Sequence, residues 1–349
     1  MTSDPQANPA TDQVADKQQT PLLEIDHVTR RFERKPDFAA KLAARLGAPI
    51  NRRTVHAVDD ASFAIHRREV VGLVGESGCG KSTLGRIVAG IDNPTEGRIL
   101  YNGQDVAHVS SRDIDQFHLK IQMIFQDPLD SLNPRYRIGK SVSEAARYHK
   151  VVPELEMDAH IEKVLLQCGV DPATQNRFPH QFSGGQRQRI GIARALAVRP
   201  EMVVCDEAVA SLDVSIQAQI INLFMDLRDE YDLAYLFVSH DIGVVRHISD
   251  RVVVMYLGRI VEQGSTAELF ARPNHPYTQA LLGQVPSLKR RHSSFHTIKG
   301  EIPSPLKPPS GCHFHPRCPH AMDICRQARP PLKNVASGHM AACHLNDQS

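Results

Sequence analysis

The sequence contains no tryptophan, and aromatic residues make up only 5% of its 349 residues. It has no apolar run approaching the roughly 18 residues of a membrane-spanning helix, which excludes such a helix. A large excess of charge of one sign is also missing, because the formal net charge is +2. That balance shows no polybasic segment committed to nucleic acid, so no nucleic-acid partner is expected.

The first twenty residues have little apolar character. Residues 1–20 are polar and contain Asp, Gln and Pro, which predicts a disordered tail and not a signal peptide. The number of cysteines is seven, an odd number, and Cys79, Cys168 and Cys205 lie in apolar or motif contexts. This usage favours a reducing compartment over a disulfide scaffold. The chain length suggests about two domains or subdomains.

A phosphate-binding loop follows the apolar run Val70 to Val74. The pattern G-x-x-x-x-G-K-[ST] is contained in the segment Gly75, Glu76, Ser77, Gly78, Cys79, Gly80, Lys81, Ser82 and Thr83. Backbone N–H groups of such a loop surround a phosphate, and a helix that begins near Lys81 directs its positive end to the same place. Lys81 reaches the β and γ phosphates, and the Ser82 hydroxyl is a hard oxygen ligand for Mg²⁺.

A second anion-seeking element lies about a hundred residues further on. This element is the segment Phe182-Ser183-Gly184-Gly185-Gln186, which precedes a predicted helix over Arg187 to Val198. It offers an anion a hydroxyl, glycine N–H groups and a helix N-terminus. One chain therefore carries two elements suited to phosphate.

Two predicted strands then end in polar residues. Met202 to Cys205 delivers Asp206 and Glu207, and Ala234 to Val238 delivers Ser239 and His240. At such a strand end an acid can hold Mg²⁺ and its neighbour can orient or deprotonate a water. A histidine there can hydrogen-bond a transferring phosphoryl group.

At these residues the chain resembles the ATP-binding cassette (ABC) ATPases, over about residues 22–345. The resemblance rests on six motifs in order: the Walker A motif Gly75 to Ser82, the Q-loop Gln126 within Ile124-Phe125-Gln126-Asp127, the signature Ser183 to Gln186, the Walker B pair Asp206-Glu207, the D-loop Leu212-Asp213, and the switch histidine His240. The resemblance implies an α/β fold: a P-loop ABC ATPase core with an antiparallel edge sheet, an inserted helical subdomain and a C-terminal cysteine-containing extension.

The same resemblance implies the roles of the site residues. ATP would lie between the Walker loop of one cassette and residues Ser183, Gly184, Gly185, Gln186 and Asp213 of a second cassette that faces it head to tail. Mg²⁺ would be held by Ser82, Gln126 and Asp206. Glu207 would polarise the attacking water, and Gln126 and His240 would couple the γ-phosphate to the moving subdomain.

The cassette is expected over residues 21–265. Within it, Leu22 to Val28 and Ala57 to His66 predict strands of the antiparallel edge sheet, and a basic insertion with helical character separates them at 30–53. A helical subdomain is expected over about 128–198, where Met157, Ile161, Val164, Leu165 and Cys168 recur on one helix face. The helical pattern returns over Val214 to Glu230. Residues 266–349 form the extension.

The C-terminal part is similar to ATPase subunits of oligopeptide and dipeptide importers. This similarity rests on Asn274-His275-Pro276-Tyr277-Thr278, the basic run Lys289-Arg290-Arg291, Pro303-Ser304-Pro305 and Gly311-Cys312. It implies a motor subunit at the cytoplasmic face of the membrane, peripheral, with two permease subunits, a second ATPase subunit and an extracytoplasmic peptide-binding protein as partners. Transport of nickel or another small solute stays open, and a soluble ABC ATPase acting on nucleic acid or ribosomes is the alternative class.

Four cysteines cluster in the extension, as Cys312, Cys318, Cys325 and Cys343. Four thiolates suit a [4Fe–4S] cluster or tetrahedral zinc, and the spacing does not choose between them. The nearby His313, His315, His320 and His344 would favour zinc, whereas resemblance to some peptide-importer ATPases favours iron–sulfur. With few large apolar residues, the extension is expected to need a metal crosslink for order. Its site is expected to be peripheral to ATP chemistry.

Two features depart from the family pattern. The D-loop region reads Ala210-Ser211-Leu212-Asp213 in place of Ser-Ala-Leu-Asp. No aromatic residue that would stack on adenine precedes the first core strand, where Arg52 and Arg53 stand. Phe32 or an arginine could take that place, and the sequence leaves the role unassigned.

Overall fold

A computed structural model describes residues 20–33, 54–127, 132–283 and 300–348. The predicted disordered tail over 1–20 lies almost wholly outside these residues, as do most of the basic insertion and the run Lys289-Arg290-Arg291. Within the described ranges, no helix combines the length and the apolar character that crossing a bilayer requires.

The strands form two sheets. In chain order they are β1 Leu23–Glu33, β2 Thr54–Ile65, β3 Val70–Val74, β4 Glu96–Tyr101, β5 Gln104–Asp105, β6 Ile121–Ile124, β7 Met202–Asp206, β8 Ala234–Ser239, β9 Arg251–Tyr256, β10 Arg259–Ser265, β11 Lys333–Ala336 and β12 His339–Ala341. A four-stranded antiparallel sheet has the order β2-β1-β4-β5, and an eight-stranded sheet has the order β11-β12-β10-β9-β3-β8-β7-β6.

The α-helices, in chain order, are α1 Lys81–Val88, α2 Ser111–Lys120, α3 Ile138–Tyr148, α4 Glu154–Gln167, α5 Gly184–Leu196, α6 Val214–Tyr231, α7 Ile242–Ile248, α8 Thr266–Ala271, α9 Pro276–Leu282 and α10 Asp323–Gln327. Helices α3, α4 and α5 pack on one another. Their shared core contains the residues predicted from helical spacing, because Met157, Ile161, Val164, Leu165 and Cys168 are all at most 2% exposed. The boundaries of the helical subdomain near 128 and 198 stay predictions.

The centre of the large sheet is parallel. Strands β6, β7, β8, β3 and β9 run in the same direction, and every residue of β3, β7 and β8 is buried. Short continuous apolar runs are typical of such strands, which are covered on both faces. The α/β core and the antiparallel edge sheet expected from the sequence are therefore confirmed.

The parallel register brings the polar strand ends to one edge. Val74 lies beside Ser239, Asp206 beside Val238, and Ile124 beside Cys205. Because each strand ends at this edge, the loops that follow β3, β6, β7 and β8 meet there.

The extension is ordered by packing that the sequence did not predict. Strand β12 pairs with β10, and β11 pairs with β12, so the extension lengthens the large sheet. Phe314 is 1% exposed and packs against the rings of Tyr256 and Tyr277. Strand pairing and a buried aromatic ring therefore anchor the segment, and the contribution of a metal crosslink to its order stays a prediction.

Candidate active site

The phosphate loop joins the end of β3 to the start of α1. Gly80 has φ 109°, and a Cβ atom there would lie 2.0 Å from the Ala57 carbonyl oxygen, so only glycine fits. No side chain caps the N-terminus of α1. Its first N–H groups therefore stay available to an anion.

Lys81 is the first residue of α1 and is 4% exposed. Its Nζ donates to the Gly75 carbonyl oxygen at 2.8 Å and to the Glu76 carbonyl oxygen at 3.1 Å. These bonds hold the ammonium group within the loop, beside the cavity described below.

Ser82 and Asp206 lie side by side. The Ser82 hydroxyl donates to Asp206 Oδ1 at 2.9 Å. Burial raises the pKa of Asp206, and the charge of neighbouring Glu207 raises it further, while the Ser82 hydrogen bond opposes the shift. A hydroxyl and a carboxylate oxygen at this distance fit the ligand chemistry of Mg²⁺, which prefers hard oxygen donors.

Glu207 and His240 face each other across the ends of β7 and β8. His240 Nδ1 lies 3.2 Å from Glu207 Oε1. Glu207 has φ 48°, a left-handed conformation that is costly for a side chain of this type. Its N–H donates to the Val238 carbonyl oxygen at 3.0 Å, which fixes this turn against the neighbouring strand.

A cavity of about 400 Å³ connects these groups. It is lined by Phe32, Val55, Ala57, Ser77, Gly78, Gly80, Lys81, Ser82, Thr83, Gln126, Glu207 and Pro305. A larger cavity of about 630 Å³ lies between the edge sheet and the extension, and none of the residues from Gly75 to Thr83 lines it. The smaller cavity is the candidate site because it joins the phosphate loop to a carboxylate and an amide.

Phe32, Val55 and Pro305 also line this cavity. Phe32 is 38% exposed, and the Arg30 guanidinium carbon lies 4.5 Å from its ring centre. The Pro305 carbonyl oxygen accepts a hydrogen bond from the His56 N–H at 3.0 Å. Sequence reasoning missed Pro305, because nothing in its local pattern indicates that the extension reaches this cavity.

The second glycine motif begins α5 in a capping box. The Ser183 hydroxyl accepts from the Gln186 N–H, and the Gln186 side chain accepts from the Ser183 N–H at 3.0 Å. The helix thus begins at Gly184, three residues before the predicted start at Arg187. At Gly185 a Cβ atom would lie 2.6 Å from Ile216 of α6, so these two helices meet at a glycine.

No residue of this motif lines the cavity, so the structure does not bring the two glycine elements of one chain together. Ser183 and Gly184 are exposed, as is Asp213 at the start of α6. Val214 beside it is 83% exposed.

All four cysteines of the extension are free thiols. Burial raises the pKa of Cys312, Cys318 and Cys343, and in each case two of the other thiols of this set raise it further. The four side chains therefore lie in one neighbourhood. Across the described ranges, however, no group of three or more His, Cys, Asp or Glu side chains is arranged to hold a metal ion.

The neighbouring histidines have other partners. His344 Nδ1 lies 3.1 Å from Asp347, and its Nε2 lies 3.0 Å from the Ala328 carbonyl oxygen, so both ring nitrogens are engaged. His313 Nδ1 lies 2.9 Å from the Leu257 carbonyl oxygen. These contacts give His313 and His344 structural roles.

The extension also contacts the phosphate loop directly. Arg317 forms two hydrogen bonds with the carboxylate of Glu76, and the Tyr277 hydroxyl accepts from the Glu76 N–H at 2.9 Å. The expectation that the four-cysteine site is peripheral to ATP chemistry stays a prediction, but another residue of the extension, Arg317, does reach the phosphate loop. Glu76 and Arg317 are 241 positions apart in the sequence, so no local pattern indicates this contact.

Comparison with known proteins agrees with this geometry. The family model described as ABC transporter matches residues 58–210, and the model described as oligopeptide/dipeptide transporter, C-terminal region, matches residues 261–325. The fold and the phosphate loop thus define an ABC ATPase. Within that class, the chain belongs to the ATP-binding proteins of the oligopeptide/dipeptide transporter family.

Two relatives support this membership. The chain is 50% identical over 295 residues to the oligopeptide transport ATP-binding protein AppF of Bacillus subtilis, covering 83% of this chain and 90% of the relative. It is 46% identical over 325 residues to the probable peptide ABC transporter ATP-binding protein y4tS of Sinorhizobium fredii, covering 93% and 90%.

Solved structures share the fold. The structure of cbiO1 from Clostridium perfringens, part of the ABC transporter complex cbiONQ, has a TM-score of 0.60 at 28% identity and covers 72% of this chain and 92% of that one. The ATP-binding cassette MJ0796, in a dimeric post-hydrolysis state bound to ADP and Pi, has a TM-score of 0.59 at 24% identity, with 70% and 98% covered.

Proposed function

We propose that the chain is the ATP-hydrolysing motor subunit of a bacterial importer for dipeptides or oligopeptides. The observation that carries the ATPase role is the convergence of Lys81, Ser82, Asp206 and Glu207 at one edge of the parallel sheet. The peptide assignment is supported by the relatives named above and by the family model over 261–325. Import of nickel or another small solute is the alternative substrate class.

In this proposal catalysis consists of positioning and electrostatics. Lys81 and the loop N–H groups bind the phosphates, and Ser82, Asp206 and Gln126 are the groups that would hold Mg²⁺. The metal ion would neutralise phosphate charge. Glu207 accepts the proton of the water that attacks the γ-phosphorus, and His240, 3.2 Å from Glu207, orients that carboxylate and the γ-phosphate.

A second cassette would complete the site. Ser183 and Gly184 are exposed at the N-terminus of α5, where a capped helix presents N–H groups to an anion. Asp213 and the exposed Val214 lie on the neighbouring helix α6, and the two helices touch at Gly185. This face suits the head-to-tail pairing in which Ser183 to Gln186 and Asp213 approach the partner's nucleotide.

A groove of about 560 Å³ is a candidate docking place for a membrane permease. It lies between the helical subdomain and β6, and Tyr136, Glu144, Tyr148 and Arg194 line it together with Gln122. Gln122 belongs to the strand that leads to Gln126, so a segment bound here would contact the element that reaches the nucleotide cavity. The peptide-transporter relatives support the rest of this proposal, a peripheral location at the cytoplasmic face with two permeases and an extracytoplasmic peptide-binding protein in the complex.

The extension would hold a [4Fe–4S] cluster on Cys312, Cys318, Cys325 and Cys343, with zinc as the alternative. Four free thiols in one neighbourhood support this proposal by their donor chemistry. A bound cluster would crosslink segments of the extension. The residues do not form a preassembled single-metal site, so no step of the ATP reaction is assigned to this group.

Transport assays test the proposed function. In cells that depend on this chain, Lys81→Ala should abolish uptake of labelled dipeptides or tetrapeptides, while Lys163→Ala on the exposed face of α4 should leave uptake unchanged. Loss of nickel uptake with intact peptide uptake would support the alternative substrate class. ATPase activity stimulated by ribosomes or nucleic acid, and not by permeases, would contradict the importer assignment.

A further inference from the structure

Arg317 of the extension and Glu76 of the phosphate loop form a bidentate ion pair. Arg317 Nη1 lies 2.7 Å from Glu76 Oε2, and Nη2 lies 2.9 Å from Glu76 Oε1. The Arg317 side chain is 5% exposed. A bidentate pair of this kind fixes both groups in orientation.

The same turn of the loop is held by aromatic residues. The Tyr277 hydroxyl accepts from the Glu76 N–H at 2.9 Å, and the Tyr256 hydroxyl lies 3.4 Å from Arg317 Nη1. Tyr256 and Tyr277 pack on Phe314, three residues before Arg317. Both the backbone and the side chain of Glu76 are therefore fixed by the C-terminal part of the chain.

The charge of Glu76 makes this contact relevant to nucleotide binding. A carboxylate within a loop that binds a polyanion repels the ligand unless a cation neutralises it. Ser77, Gly78 and Gly80 line the nucleotide cavity, whereas Glu76 does not, because its side chain is directed to Arg317. Without Arg317, the carboxylate would remain partly buried and uncompensated next to the phosphates.

We propose that Arg317 is a positioning residue of the ATP site: it neutralises Glu76 and holds its carboxylate away from the phosphates. The extension thereby contributes to nucleotide binding at the phosphate loop. This inference rests on the assignment of the loop as the ATP site.

A charge-removal cycle in the full-length chain tests the proposal. Arg317→Met should raise the Kd for Mg-ATP by about tenfold or more, since it removes the cation and keeps much of the side-chain volume. The double variant Arg317→Met/Glu76→Gln should return the Kd to within about threefold of the wild type, because the repelling charge is gone. Arg326→Met, an exposed arginine of the same extension, serves as the matched control and should bind like the wild type.

Two further readouts separate electrostatics from folding. The loss of nucleotide affinity in Arg317→Met should be larger for ATP than for ADP, because ATP carries more phosphate charge. This loss should become smaller at high salt. The proposal is overturned if Arg317→Met binds ATP normally, or if the double variant binds as weakly as Arg317→Met, since the residue would then act only through the fold of the extension. Lys81→Ala is the separate check on the site, because unchanged ATP binding in that variant would refute the loop assignment itself.

Discussion

Glu262 and His339 form a buried pair in which Oε1 and Nε2 lie 2.7 Å apart. Glu262 is 0% exposed and also accepts from the N–H groups of Asn274 at 2.7 Å and His275 at 2.8 Å. One carboxylate therefore joins three segments: β10, the start of α9, and β12 of the extension. From this arrangement we expect the extension and the nucleotide core to unfold as coupled parts.

The first prediction concerns this carboxylate. Glu262→Ala should lower the free energy of unfolding by about 3–5 kcal/mol, because it leaves a buried histidine, the buried His275 N–H and the part-buried Asn274 N–H without their acceptor. Urea unfolding measures the loss, and limited proteolysis should show earlier cleavage within 300–348. Glu268→Ala, whose carboxylate makes only a long surface contact with Arg272, should change stability by less than about 1 kcal/mol. Equal effects of the two substitutions would contradict the anchoring role.

Local patterns predicted the nucleotide core well, for a physical reason. The apolar runs at Val70, Met202 and Ala234 each form a buried parallel strand, and parallel strands deliver their following residues to one edge. The positions of Lys81, Asp206 and Glu207 therefore follow from residues within a few positions of each motif.

The extension could not be predicted in the same way. Strands β11 and β12 have four and three residues and lack a long alternating pattern. Pro305 reaches the ATP cavity and Arg317 reaches Glu76 of the phosphate loop through tertiary packing of the extension, around Phe314 and β10. Contacts of such sequence separation leave no local signal, so the role of the extension at the phosphate loop became visible only in three dimensions.

The second prediction concerns the general base. Glu207→Gln should keep ATP binding but lower turnover roughly 100-fold or more, because the phosphate-binding groups remain while the water loses its proton acceptor. The variant should also accumulate as a closed dimer with ATP. ATPase rates in the assembled complex and size-exclusion chromatography with ATP measure both effects. Glu156→Gln on the exposed surface of α4 is the control, and near wild-type hydrolysis by Glu207→Gln would remove Glu207 from this role.

The third prediction concerns the pairing of cassettes. Ser183→Arg should disrupt the ATP site of the opposing cassette and spare the nucleotide at its own phosphate loop, because Ser183 does not line the cavity of its own chain. In a pair of differently tagged chains, one with Ser183→Arg, photo-crosslinked ATP analogue should be lost from the unmodified chain. Loss from the chain that carries the substitution would refute the head-to-tail arrangement.

The fourth prediction concerns pH. Burial lowers the pKa of His275 from 6.5 to about 3, and its Nδ1 accepts from the Tyr277 N–H at 3.0 Å. Between these two pH values the unfolded chain takes up a proton that the folded chain does not. Stability from this residue is therefore complete above pH 6.5 and decreases as the pH falls, by about 1.4 kcal/mol per unit. Urea unfolding at pH 7 and at pH 5.5 measures the decrease in the free energy of unfolding between these two pH values. This decrease should be smaller for His275→Asn than for the wild type, because asparagine keeps a capping side chain but does not titrate. Identical decreases in the two proteins would contradict this assignment.

The last prediction concerns the thiols of the extension. If Cys312, Cys318, Cys325 and Cys343 hold one [4Fe–4S] cluster, protein purified without oxygen should be brown, bleach on reduction, and contain iron and sulfide in equal amounts. Cys318→Ser should lose the colour, whereas Cys168→Ala, a buried thiol of the helical subdomain, should keep it.

Proteolysis of the same variants tests what the crosslink contributes. Because β11, β12 and Phe314 are anchored by packing, Cys318→Ser should be cleaved first between residues 311 and 327, and the paired strands should resist longer. A colourless protein with one zinc per chain would exclude iron but retain the four-thiolate crosslink. A metal-free chain with the same protease resistance as Cys318→Ser would refute both metals and leave the Glu262–His339 pair and the Phe314 contacts as the anchors of the extension.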